Sequence, residues 1–256
     1  MQENTKHIVD AWNMKARNYP RFKTPAKDTL EILDFFRANG ANFDSKSIID
    51  IGCGNGRFSL VLYKEAKEVL GVDSAQEMLN FLQEDANALG ANNISTTCAK
   101  WEDFTPTQTF DIAFASMTPA MNNKQGVQKA LEICRECFCY VGWGRYREAP
   151  FTNAILQEHN LELLLPTGLP EVLKWLDELN YKTPPHKFME SSFLHKSSVE
   201  KTIEDMIFNV RVHNGVPNEK LIAKYVRSQA KNGEVCYTHK REIGIAYIAK
   251  DSLALR

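Results

Sequence analysis

The sequence predicts an α/β fold, a mostly parallel seven-stranded sheet with helices on both faces. Three observations predict it. Short apolar runs alternate with stretches of helical spacing between Ser47 and Trp143, the pattern of right-handed βαβ units on a parallel sheet. In the first run Ile48, Ile49 and Ile51 suit a strand buried on both faces. Three glycines follow it at alternate positions, Gly52, Gly54 and Gly56, and helical spacing resumes at Phe58, Val61, Leu62 and Ala66.

Residues 1–40 precede the sheet. Ile8, Ala11, Trp12, Lys15 and Tyr19 keep a helical spacing, and Pro20 ends it. Thr24 and Pro25 are placed to open a second helix, which runs through Leu30, Leu33, Phe36 and Arg37 to Gly40. Strand one ends at Ile51. A helix is expected over residues 57–69, and strand two is Val69–Val72 with Asp73 at its end. Ser74 and Glu77 read as a capping box. Met78, Leu82, Ala86 and Leu89 mark one face of the helix that follows, and Gly90 stops it. Strand three is Ile94–Ala99 and strand four Phe110–Ala115. A helix covers about 124–137, and strand five is Phe138–Trp143.

The last third predicts helices over 153–165 and 169–179, a sixth strand over 187–194, helices over 197–212 and 218–230, and a final strand over 236–249. Ser197 and Glu200 read as the cap of the first helix in the later pair. No Gly-, Ser- or Pro-rich linker divides the chain. It reads as one domain over 1–256, with an N-terminal helical segment (1–40), a core (45–145) and a region of added helices and last strands (146–256).

Composition narrows the function. The 256 residues are long enough for a sizeable core. A formal net charge of −1 gives no global field toward nucleic acid. No apolar run reaches the length of a membrane span, and Met1–Lys6 lack a signal peptide's apolar segment, so a cytoplasmic address is expected. The six cysteines, Cys53, Cys98, Cys134, Cys137, Cys139 and Cys236, are then expected to be free thiols. Cys134 and Cys137 are expected at a helix end and Cys139 in a strand, with no second ligand pair, so no metal is expected. None of the six histidines pairs with another at metal-ligand spacing on one helix face.

A strand, a glycine turn and a helix N-terminus form a crevice for a nucleotide-like ligand. A carboxylate at the end of strand two, here Asp73, is placed to accept from two ribose hydroxyls. The dinucleotide fingerprint would need a third glycine where this chain has Arg57, which speaks against NAD. Asp-Ile-Gly-Cys-Gly-Asn-Gly followed by Gly-Val-Asp-Ser resembles the first two motifs of class I S-adenosylmethionine-dependent methyltransferases. The resemblance covers about residues 45–145.

It implies a methyltransferase that binds S-adenosylmethionine and releases S-adenosylhomocysteine. Carried onto this chain, it implies that the backbone at Gly52, Cys53, Gly54 and Gly56 cradles the methionine part and Asp50 orients its ammonium. Asp73 would hold the ribose, and Ser74 and Met78 would border the adenine, Met78 being equally a core residue of its helix. The family's acid-x-acid-like segment after strand three is Lys100-Trp101-Glu102-Asp103 here. Lys100 stands where the first acid would be, leaving Trp101 as backbone donor and Glu102 as side-chain acceptor. Ser116 and Met117 would flank the methyl group, and Tyr19 would touch the cofactor from an N-terminal helical lid.

The chain has Ala115-Ser116-Met117-Thr118-Pro119 where exocyclic-amine methyltransferases acting on bases often carry Asn/Asp-Pro-Pro-Tyr. With the near-neutral charge, this favours a small-molecule acceptor over nucleic acid. Methylation of protein or RNA stays open, as does a non-catalytic protein that only binds S-adenosylmethionine or a nucleotide. Arg145, Tyr146 and Arg147 are expected in the turn after strand five, where they are either a solvated loop or a grip for an acidic or aromatic molecule. No general base is named; His159 and His186 are the better placed histidines. The added helices would serve as a substrate cover or a subunit contact, compatible with a homodimer.

Overall fold

The computed structural model describes residues 2–17 and 19–252, with side chains from Val9 onward. Its helices are α1 (Gln2–Ala16), α2 (Lys27–Ala38), α3 (Ser59–Leu62), α4 (Gln76–Leu89), α5 (Lys124–Ile133), α6 (Pro150–Gln157), α7 (Leu169–Glu178), α8 (Val199–Val212) and α9 (Glu219–Gln229). Its strands are β1 (Ser47–Ile51), β2 (Glu68–Asp73), β3 (Ile94–Cys98), β4 (Phe110–Ser116), β5 (Cys134–Glu148), β6 (His186–Ser198) and β7 (Glu234–Ala249). They form one seven-stranded mixed sheet in the order β3-β2-β1-β4-β5-β7-β6. The chain divides into two compact units.

The larger unit comprises Tyr19–Arg145, Pro166–Met189 and Ile243–Arg256. In it β1 pairs in parallel with β2 and β4, β2 with β3, and β4 with β5. Every residue of β1 is buried. Its side chains alternate between two cores, as a strand covered on both faces requires. Ile48 joins Phe36, Phe58 and Phe114, whereas Ile49 and Ile51 join Phe110, Val127 and Phe138. The N-terminal ends of the strands are clamped by Asp111. It accepts from Ser47 N and Oγ, both at 2.8 Å, and from Arg135 Nη2 at 2.7 Å.

The smaller unit comprises Met1–Asn18, Tyr146–Leu165 and Glu190–Glu242. Its core gathers Phe151, Ile155 and Leu156 of α6, Met206 and Val210 of α8, Ile222 and Val226 of α9, and Val235 and Tyr237 of β7. Trp12 of α1 meets Phe208 of α8 edge-on at 5.0 Å, and Lys15 pairs with Asp205 at 2.5 Å. Trp12 therefore anchors α1 on α8.

Several elements depart from expectation. The helix after the glycine turn is one turn only, Ser59–Leu62, because Glu68 and Val69 are drawn into β2. The helix predicted to reach 137 ends at Ile133, and Cys134, Cys137 and Cys139 all lie in β5, buried with free thiols. The turn expected at 143–148 is part of β5, which places Arg145, Tyr146 and Arg147 on a strand. Tyr19 lies beyond α1, and α2 opens after Ala26 rather than at Thr24. The helix expected over 153–165 is α6, Pro150–Gln157. The cap of α8 is Ser198, whose hydroxyl accepts from Lys201 N, and not Ser197. No Ser74 cap opens α4: its N-cap is Ala75, with no side-chain cap bond.

Candidate cofactor site

In open parallel sheets ligands sit beyond the C-terminal strand ends. Register brings three such ends together here: Ile51 lies opposite Val72 of β2 and Ala115 of β4. The glycine turn is held on β2 by its backbone, with Gly52 N and Cys53 N donating to Val72 O at 2.7 and 3.2 Å. Asp73 completes the hold. Its Oδ2 accepts from Gly54 N at 2.9 Å and its Oδ1 from Ala75 N at 2.8 Å. The carboxylate expected to bind a ligand thus also shapes the turn and starts α4. Burial raises its pKa, and backbone N–H groups of Ala75, Gly54 and Ser74 oppose the rise.

The glycines serve different ends. A Cβ on Gly52 would lie 2.0 Å from Thr118 Oγ1, and one on Gly56 2.3 Å from Leu82 Cδ1. Both glycines therefore allow close packing. Gly54 has φ +55° and nothing within 4 Å of where its Cβ would be. Its backbone borders open space, the arrangement that lets a ligand approach the chain. Cys53 turns its side chain into the core, where a Cβ on Gly71 would stand 2.8 Å from the Cys53 sulfur.

Asp50 is 2% exposed and accepts from Ser59 Oγ at 2.5 Å. Burial foremost, then the charge of Asp73, push its pKa up to about 6 against the Ser59 hydrogen bonds. It stands at the point where it can change charge near neutrality.

The other expected residues divide. Ser116 is half-buried at the end of β4. Met117, next to it, takes φ +50° with its N donating to Val141 O at 2.8 Å. A methionine held in the left-handed region costs energy. Ser74 is half-buried and Glu102 exposed. Met78 is only 3% exposed. Trp101 is buried in the second core, its Nε1 donating to Gly126 O at 3.0 Å. Tyr19 is 40% exposed and adjoins Pro20, whose carbonyl accepts from Asn55 Nδ2 at 2.8 Å. Asp85 fixes the same strap by accepting from Phe22 N and from Arg21 Nη2 at 2.6 Å.

Sequence reasoning missed Asn55, Ser59 and Thr118. Thr118 carried a signal: it precedes Pro119 and accepts from Ala120 N, capping a short 3-10 turn. Arg57, the residue that replaces a dinucleotide glycine, is tied to α2 through Thr29 Oγ1 at 2.9 Å and Asp28 at 2.8 Å. His159 is committed to packing: Nδ1 sits 2.7 Å from Ile155 O, and Nε2 accepts from Asn218 N. Among the described residues no group of three or more His, Cys, Asp or Glu could hold a metal ion, and no helix is long and apolar enough to cross a membrane.

Residues 48–138 match the family described as "Methyltransferase domain". Over these residues the chain is similar to methyltransferase domains. A structure of a candidate methyltransferase from Bacillus halodurans C-125 shares the fold. Its TM-score is 0.55 at 14% identity, covering 86% of this chain and 99% of that one. The DhpI–SAH complex matches at TM-score 0.50 and 13% identity, covering 92% and 95%. Ribosomal RNA small subunit methyltransferase G of Vibrio cholerae is 30% identical over 48% of this chain and 60% of its own length. The chain spans about half the length of the first curated relatives it matches.

Proposed function

We propose that the protein is an S-adenosylmethionine-dependent methyltransferase acting on a small-molecule acceptor. The observation that carries the reading is the open space at Gly54, whose N–H is held by the Asp73 carboxylate. An S-adenosyl group fits these residues. Gly54 permits close approach, Asp73 keeps further lone pairs for ribose hydroxyls, and Asp50 offers a buried charge to an ammonium. When bound, the group supplies an electrophilic methyl on sulfur.

The protein's part is placement and exclusion of water. Gly52, Cys53 and Gly56 set the turn, while Ser116 and Met117 border the reacting side. Met78 and Trp101 back the adenine region from the core, and Ser74 and Glu102 offer the polar edge. Tyr19 and the strap through Phe22 cover the turn, as a small version of the expected lid. The whole chain works as one catalytic domain, in the cytoplasm. Slow turnover of S-adenosylmethionine that appears only with a heat-stable, low-molecular-weight extract fraction supports the reading. Turnover only with protein or RNA fractions overturns the acceptor class.

Asp50 gives a pH signature. A ligand ammonium favours the ionised acid, so binding releases a proton wherever Asp50 is protonated beforehand. With a pKa of about 6, affinity for S-adenosylhomocysteine rises about tenfold from pH 5 to pH 7 and then levels. Asp50→Asn should flatten the profile. Titration calorimetry across that range checks it, and a flat parent profile contradicts the role.

A further inference from the structure

The larger unit has a cavity of about 580 Å³ on one face of its sheet, and no residue of the glycine turn lines it. The cavity exists because a helix is missing. Among the parallel connections, α3 follows β1, α4 follows β2 and α5 follows β4. Residues 99–109, which lead from the edge strand β3 to β4, form no helix. Thr105-Pro106-Thr107 in their middle opposes one. On the other face α4 packs Leu79, Leu82 and Ala86 with Val69 and Ile94. On the cavity's own face α5 places Val127 and Ala130 with Ile49 and Ile51 of β1. The neighbouring part of that face, over β2 and β3, has no helix of its own.

Strand alternation puts Glu68 and Leu70 of β2, and Ser95 and Thr97 of β3, on that face, and all four line the cavity. Leu70 stands opposite Ser95 in register. Phe104, half-buried against the second core, walls the cavity from the 99–109 connection. The two charged residues in the lining are both acids, Glu68 and Asp103. Glu68 opens β2, whereas Asp103 follows β3, whose last residue, Cys98, registers with Asp73. Five residues of β2 span roughly 16 Å at about 3.3 Å per residue, so the two acids stand toward opposite ends of the cavity. Burial lowers the pKa of Lys129, and Asp103 and Glu102 oppose the fall. The Lys129 ammonium donates to the carbonyls of Trp101 and Phe104 and does not line the cavity.

We propose that this cavity binds a linear diamine, one ammonium on Glu68, the other on Asp103, and the methylenes along Leu70 and Phe104. Its volume falls in the range of small-molecule sites. Each carboxylate accepts charge-assisted hydrogen bonds from an ammonium, and the Ser95 and Thr97 hydroxyls add acceptors between them. An anion would meet two like charges there, and an uncharged chain of the same length would gain no charge-assisted bond. The inference does not depend on the methyltransferase reading.

The test is calorimetric titration of the full chain at low salt, where charge pairing is least screened. The probes are 1,4-diaminobutane, spermidine and spermine, with butylamine and 1,4-butanediol as the one-charge and uncharged comparisons. At least one of the three amines should bind tenfold or more tighter than butylamine, and the diol should not bind. Glu68→Gln should weaken that amine at least tenfold. Ser95→Phe, which sets a ring into the cavity from an exposed position, should abolish its binding. If Ser95→Phe does not fold, Asp103→Asn takes its place and should weaken the amine at least tenfold. Glu31→Gln removes an exposed acid from α2, whose Ile32 and Leu33 pack on the other sheet face, and should leave affinity within twofold. Polyamines no better than butylamine, or parent-like affinity in Glu68→Gln, overturn the proposal. So does an equal loss in Glu31→Gln, which would mean diffuse attraction to the surface and no site.

Discussion

Asp73→Ala should weaken S-adenosylhomocysteine binding by on the order of 10- to 100-fold or more. Each hydrogen bond to a charged group contributes about 1.5–3 kcal/mol, and each ~1.4 kcal/mol is tenfold. The variant should also melt lower, because Asp73 holds Gly54 N and Ala75 N. A stability loss of about 2 kcal/mol corresponds to a Tm drop of roughly 4–8 °C for a chain of this size. Asp111→Ala is the control. It breaks the Ser47 and Arg135 clamp at the opposite strand ends, so it should lower Tm and leave affinity unchanged. Calorimetry with melting curves separates the two effects. Equal affinity loss in both variants would mean that Asp73 acts only through stability.

Gly54→Ala should fold and fail to bind. Its left-handed φ costs a non-glycine residue about 1–2 kcal/mol, and its new methyl would meet no protein atom within 4 Å. The methyl would instead occupy space proposed for the ligand, so affinity should fall tenfold or more. Gly56→Ala should show the reverse balance, because its Cβ would strike Leu82 and cost stability first. Parent-like affinity in a folded Gly54→Ala variant contradicts the proposed ligand position.

The core was legible because its signals are local. Ile48, Ile49 and Ile51, the alternate glycines and Asp73 each state their structure within a few residues, and the parallel sheet follows from their repetition. What failed was long-range. Nothing near Cys134 tells a helix to stop, since β5 begins there by pairing with Phe110. Tyr146 and Arg147 look like loop residues until the strand continues through them. Ser74 and Glu77 match a capping box, but the Asp73 carboxylate already takes the Ala75 N–H. Thr118 and Asn55 act through close approach to Gly52 and Pro20, contacts that exist only in the folded chain.

The central claim is that the glycine turn binds an S-adenosyl ligand, and hydrogen exchange tests it most directly. Exchange would be followed on the whole chain alone, with S-adenosylhomocysteine and with NAD. S-adenosylhomocysteine should slow exchange across Gly52–Gly56 and in the Tyr19–Phe22 strap, and NAD should change neither. Protection by NAD at Gly52–Gly56, with none from S-adenosylhomocysteine, would contradict the account.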